Sequence, residues 1–81
     1  MKYIIEAEYI NDYKIKIKFN DNTIKFINFE NLLEGEVFKP LKDKSYFKNF
    51  RVNYDIDTIV WPNGADYSPD FLYQIGELVE N

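Results

Sequence analysis

The residues of this chain with the means to do chemistry are carboxylates, and they are concentrated. Asp55, Asp57, Asp66, Asp70, Glu77 and Glu80 fall within residues 52–81 with no Lys or Arg among them, whereas all ten basic residues lie in 1–51 beside eight acids. Carboxylates held together ligate Mg²⁺ or Ca²⁺ through oxygen, and they perform acid–base work when their environments drive their pKa values apart. Asp66 and Asp70, with Asp55 or Asp57, form the set that would do so, although their spacing lacks the Asp-x-Asp-x-Asp-Gly rhythm of a calcium loop. An acidic surface also has a use without any reaction: it speeds and orients docking of a basic partner. Asp55, Asp57, Asp66 and Asp70 are therefore the candidate partner contacts.

Other chemistry is closed off by composition. The chain has no His and no Cys, so nucleophilic systems built on a His base, imidazole or thiolate metal sites, and disulfides are all excluded. A general base would have to be a carboxylate, Lys or Tyr. The expectation is a protein that is not an enzyme and carries no cofactor or metal. Lys14, Lys16 and Lys18 form a basic stripe on one strand face, which Lys25 on the next strand would extend. Sheets that bind nucleic acid interleave aromatics with such charges. Here Tyr13, Ile15, Ile17 and Phe19 point the other way and the net charge is −4, so nucleic acid is not expected as a partner on its own. A Lys-bearing sheet face also discourages unwanted strand pairing.

The elements that must position these groups are legible in outline. Eighty-one residues make one domain, near the low end of what folds alone. An aromatic content of 19% supplies large buried area per residue for a small core. No apolar run approaches the ~18 residues of a membrane span, and Met1-Lys2 does not lead into a signal-type segment, so a cytoplasmic protein with no membrane partner is expected. Tyr3–Ile10, Tyr13–Phe19 and Thr23–Phe29 read as three strands of an antiparallel meander, joined by Asn11-Asp12 and Asn20-Asp21-Asn22. Strict alternation in Tyr13–Phe19 marks a half-buried strand, whereas alternation in Thr23–Phe29 slips at Phe26-Ile27, which points to a bulge or a partly covered outer face. Leu32-Leu33 predicts a helical turn ending at Gly35, and Asp43 caps a short helix through Asn49. Phe50–Tyr54 and Thr58–Trp61 are a fourth and fifth strand around a turn at Asp55-Ile56-Asp57. Ser68-Pro69-Asp70 opens a last helix to about Ile75, with the cap, the proline and the acid each where a helix start wants them. Residues 77–81 are expected to fray. The fold class is α+β: an antiparallel sheet of about five strands with short helices on one face.

One run is more specific than the rest. Ile59-Val60-Trp61-Pro62-Asn63-Gly64-Ala65-Asp66, followed by Pro69-Asp70-Phe71-Leu72-Tyr73, resembles the bacterial domain-of-unknown-function family numbered 2442. The likeness extends back through Gly35–Asp43 and Phe29-Glu30, so that it covers residues 1–81 nearly throughout; Asn28-Phe29 departs in a minor way from the family's small polar position. The resemblance implies a small α+β fold and a chain paired genetically with another small uncharacterised protein. That pairing implies the antitoxin-like side of a bacterial toxin–antitoxin module. Trp61, Pro62, Asn63, Gly64, Asp66 and Pro69 carry the motif, and each has a ready structural role: a core aromatic, turn residues, an Asp66 carboxylate accepting from loop amides, and a first-turn proline.

The leading functional expectation is a non-enzymatic protein-interaction module that covers a small basic protein encoded nearby, with the acidic final third as the contact. A small carboxylate-site enzyme or divalent-metal-binding protein using Asp66 and Asp70 is the alternative, and a nucleic-acid binder working through the Lys stripe is a third. Strand edges and the aromatic content also admit a homodimer.

Overall fold

Alternating Lys and apolar residues place β2 (Lys14–Phe19) at the centre of a meander, between β1 (Ile4–Asn11) and β3 (Ile24–Asn28), all antiparallel. The computed structural model describes residues 1–79. The two hairpin turns carry Asp12 at φ 45° and Asn22 at φ 68°, a left-handed region that Asp and Asn enter at low cost. The Asp21 carboxylate accepts the Thr23 N–H at 2.9 Å and fixes the second turn. Irregular register is confined to β1, between Ile4 and Glu6 and between Tyr9 and Asn11. The slip at Phe26-Ile27 is no bulge, because β2 and β3 pair without a break. Ile27 is buried on the inner face, while Phe26 points outward, 39% exposed, opposite Lys16.

Two short 3-10 turns, Glu30–Leu32 and Lys39–Lys42, carry the chain over the inner face of the sheet. They lead to α1 (Lys44–Phe47), where the Asp43 carboxylate accepts the Ser45 N–H at 3.0 Å as the expected cap. β4 (Arg51–Asn53) and β5 (Thr58–Val60) pair with each other as a separate two-stranded sheet packed beside β1. Then α2 (Pro69–Ile75) starts at Ser68, whose hydroxyl accepts the Phe71 N–H at 3.4 Å, with Pro69 in its first turn. Only Leu72 of this helix is fully buried, while Phe71 and Ile75 remain largely exposed.

The α+β class and the N-terminal antiparallel meander are as expected. The five expected strands, however, divide between two sheets, and the fourth place in the main sheet goes to a sixth strand. β6 (Glu77–Leu78), in the stretch expected to fray, pairs Leu78 with Lys25 and Glu77 with Phe26, giving the order β1-β2-β3-β6. The expectation for residues 80–81 lies outside the described residues. Gly76 makes the step from α2 to β6 possible, because a Cβ there would lie 2.9 Å from the Cβ of Lys25.

The core fills the space between the sheet's inner face and the loop-rich layer over it. Ile15, Ile17, Phe19 and Ile27 meet Leu33, Leu41, Phe47, Ile59, Trp61 and Leu72. At its centre the rings of Phe29, Phe47, Trp61 and Tyr67 contact one another in five pairs with centroids 5.2–5.9 Å apart. Tilted and edge-on pairs of this kind each contribute ~0.5–1.5 kcal/mol beyond their area burial. In a chain with no disulfide, they are what sets the loops against the sheet.

Candidate partner-binding surface

The specific run around Trp61 is a turn pinned at both ends to the core. Trp61 is 2% exposed, and its indole N–H donates to the Phe47 carbonyl at 2.8 Å. The Trp61 N–H reaches the Ala65 carbonyl and the Gly64 N–H the Trp61 carbonyl, both at 2.9 Å. Pro62-Asn63-Gly64 is thus a three-residue loop, with Gly64 at φ 88° in its left-handed position, the arrangement such loops favour. Asn63 locks it from two sides, donating to the Val37 carbonyl at 2.9 Å and accepting the Ala65 N–H at 3.1 Å. That is the lock expected of Asp66. The Asp66 carboxylate is instead exposed and accepts no hydrogen bond among the described residues, and Asp66 contributes a main-chain bridge to Val60. Beyond it, the Tyr67 hydroxyl donates to the Leu32 carbonyl at 2.8 Å, and burial pushes its pKa up to about 12. The Thr58 hydroxyl donates to the Tyr67 carbonyl at 2.7 Å.

Two segments that carry three of the four candidate contacts pack elsewhere, against the first residues of the chain. The Asp70 carboxylate accepts the Lys2 N–H at 2.8 Å, and the Asp57 carbonyl accepts the Ile4 N–H at 2.9 Å. The Tyr54 hydroxyl donates to the Ile5 carbonyl at 3.2 Å. The β4–β5 turn, with Asp55 and Asp57, and the start of α2, with Asp70, therefore flank one extended strip, residues 2–5. Asn53 shapes that turn: its side chain accepts the Asp55 N–H at 2.9 Å, and its carbonyl accepts the Asp57 N–H at 2.8 Å. The tight closure turns Tyr54 and Ile56 outward, 69% and 48% exposed, beside the exposed Asp55 and half-exposed Asp57. Asp66 does not join them. It bridges to Val60, at the end of the β4–β5 hairpin away from its turn, and among the described residues no three carboxylates come together as a metal site.

The only base within this strip is Lys2, and it is already engaged. Its ammonium lies 2.9 Å from the Asp21 carboxylate and 4.2 Å from the centre of the Tyr73 ring. The hydrogen bond from Lys2, joined by that from the Thr23 N–H, holds the Asp21 carboxyl well below the usual carboxylate range, and the same bond holds Lys2 above its own. The surface left over presents exposed Asp55 and Asp70 with the exposed apolar side chains of Tyr54 and Ile56. Sequence reasoning missed Tyr54 and Ile56 because they read as strand and turn residues; the available signal was a large apolar side chain between two Asp in a turn.

The Lys stripe lies on the opposite, outer face of the main sheet and is shorter than expected. Lys25 pairs with Ile17 and so faces inward, where its ammonium donates to the Tyr73 carbonyl at 2.5 Å and sits 3.9 Å from that ring's centre. On the outer face Lys18 stands opposite Glu6 and Lys16 opposite Glu8. Phe26 is the aromatic that shares this face.

Fold and surface together define a small α+β domain: an antiparallel meander carrying a loop-rich layer pinned by a buried Trp-Pro-Asn-Gly turn. The chain belongs to the family of proteins of unknown function DUF2442, whose model matches residues 4–77. No curated protein and no solved structure gives a significant match. Among the described residues, no helix is long and apolar enough to cross a membrane.

Proposed function

We propose that this protein is a non-enzymatic interaction module, antitoxin-like in role, that covers a small basic protein encoded beside it in a bacterial genome and does so in the cytoplasm. The observation that carries this reading is the packing of the Asp55/Asp57 turn and of Asp70 against residues 2–5, with Tyr54 and Ile56 exposed on that turn and Lys2 engaged by Asp21. Aromatic and aliphatic anchors ringed by charge are how a partner is both held and oriented. The carboxylates speed encounter with a cationic surface, and Tyr54 and Ile56 bury area once contact is made.

Stopped-flow association with the purified product of the adjacent gene tests this. Asp55→Lys, alone and with Asp57→Asn, removes the charge while keeping Asn at Asp57, whose φ of 62° a Lys would strain. The on-rate should fall steeply between low and physiological salt and should drop about tenfold in the double variant. Association indifferent to both salt and substitution removes the acidic surface from the mechanism.

A further inference from the structure

The outer face of the main sheet is uncovered, and its charges follow a pattern that matches itself. One row across four strands reads Glu8, Lys16, Phe26, Glu77, fixed by the successive pairings. The row beside it reads Glu6, Lys18, Ile24. None of Glu6, Glu8, Lys14, Lys16, Lys18 or Glu77 forms an ion pair within 4.0 Å among the described residues. Phe26 thus has a cation on one side and an anion on the other, with Ile24 next to it on the same face of the strand.

We propose that this face binds a second copy of the chain, through a two-fold axis running along β3 at Phe26. Neighbouring strands lie ~4.8 Å apart, so Lys16 and Glu77 stand at equal distances on either side of Phe26. Rotation about that axis lays Lys16 of each copy over Glu77 of the other, and sets Phe26 on Phe26 and Ile24 on Ile24. A two-fold across the strands would instead lay Lys16 over Lys16 and Glu77 over Glu77, which repel. The register therefore selects one geometry of an isologous contact. Offset packing of the two Phe26 rings suits their quadrupoles, and the Lys stems cover apolar surface while their ammonium groups reach the rim. Because the axis carries β1 past β6, the overlap engages roughly seven outward side chains a side, those of β2, β3 and β6, where a standard interface uses about 20–30. The dimer is accordingly a weak one, with a dissociation constant in the micromolar range. It leaves the acidic strip around residues 2–5 untouched, so it stands or falls independently of the partner proposed above.

Sedimentation equilibrium of the purified chain alone, from about 1 μM to 1 mM, decides the matter. The wild type should pass from monomer to dimer within that range. Phe26→Asp places two carboxylates on the axis and should leave a monomer throughout, with thermal melting confirming that the fold survives at this outward position. Lys16→Glu and Glu77→Lys should each weaken the dimer about tenfold or more, because each sets like charges opposite. Combining them swaps the pair and should restore affinity to within about threefold of wild type, a coupling that separate structural defects would not produce. A wild type monomeric at 1 mM, a dimer unchanged by Phe26→Asp, or a folded double variant no tighter than the single ones would each overturn the proposal.

Discussion

Replacing Trp61 with Phe isolates the bond that joins the Trp-Pro-Asn-Gly turn to the core. The Trp61 indole donates to the Phe47 carbonyl at 2.8 Å, and no other donor reaches that carbonyl among the described residues. Phe retains an aromatic ring but supplies no donor. The buried acceptor is then left unsatisfied, at a cost of ~1–3 kcal/mol. The smaller ring also leaves roughly 40 Å³ unfilled among Phe29, Phe47, Phe50 and Tyr67, which at ~24 cal/mol per Å³ adds about 1 kcal/mol. The sum, ~2–4 kcal/mol, is a large part of the ~4–12 kcal/mol available to a domain of this size. It corresponds to a fall in Tm of ~10–25 °C. Urea unfolding followed by far-UV circular dichroism measures it without relying on the lost Trp fluorescence. Val37→Ala is the control, since Val37 is largely exposed and only its carbonyl is used; it should stay within ~0.5 kcal/mol. A Trp61→Phe loss as small as the control's would refute the view that this single hydrogen bond and its ring cluster hold the loop layer to the sheet.

Ile17→Ala, in the buried centre of β2, should cost ~2–4 kcal/mol, and Lys16→Ala on the outer face no more than ~0.5 kcal/mol; equal losses in chemical denaturation would mean the strand is in the other register. Asn63→Ala should destabilise by ~1–2 kcal/mol through its two loop bonds while Asp66→Ala stays near zero, so a reversed ranking would return the lock to Asp66. The Asp21 pKa is lowered on folding, so its contribution is present above the ordinary carboxylate value near 3.8 and is lost as pH falls toward the folded value. Tm measured from pH 7 to pH 2 should therefore fall further for wild type than for Asp21→Asn, the two curves converging at the acid end, and parallel curves would show that the Lys2 pairing is not stabilising.

Where local pattern decides structure, the chain could be read directly. Ile15, Ile17 and Phe19 alternate with Lys and are buried; Asp43 and Ser68 cap the helices they precede, and Pro69 sits in the first turn. Where a distant strand decides, it could not. Glu77–Leu78 has no alternation of its own and is a strand only because the edge of β3 lies beside it. β4 and β5 were visible as strands, but nothing in Arg51–Asn53 or Thr58–Val60 says that they pair only with each other. Whether Lys25 extends the basic stripe depends on strand register, and its place opposite Ile17 turns it under α2 instead. The surface around residues 2–5 was legible only as composition: six carboxylates without a cation. That the Asp55/Asp57 turn and Asp70 both pack on residues 2–5 while Asp66 bridges to Val60 depends on the hydrogen bonds of Lys2 and Ile4, which join segments far apart in the chain.

The late strand β6 also sets a timetable for synthesis. The meander emerges from the ribosome first, but the edge of β3 must wait for Leu78, more than fifty residues after its partner Lys25. At ~5–20 residues per second, that interval is about 3–10 s. During it, Ile24 and Phe26 lie on a strand with one side open, and a neighbouring nascent chain can pair there before the proper partner arrives. Closely spaced translation of one message would lengthen the list of available wrong partners, and a pause soon after β3 would lengthen the exposure. For this fold the vulnerable period is thus written into the order of its elements, and it ends when a two-residue strand is delivered.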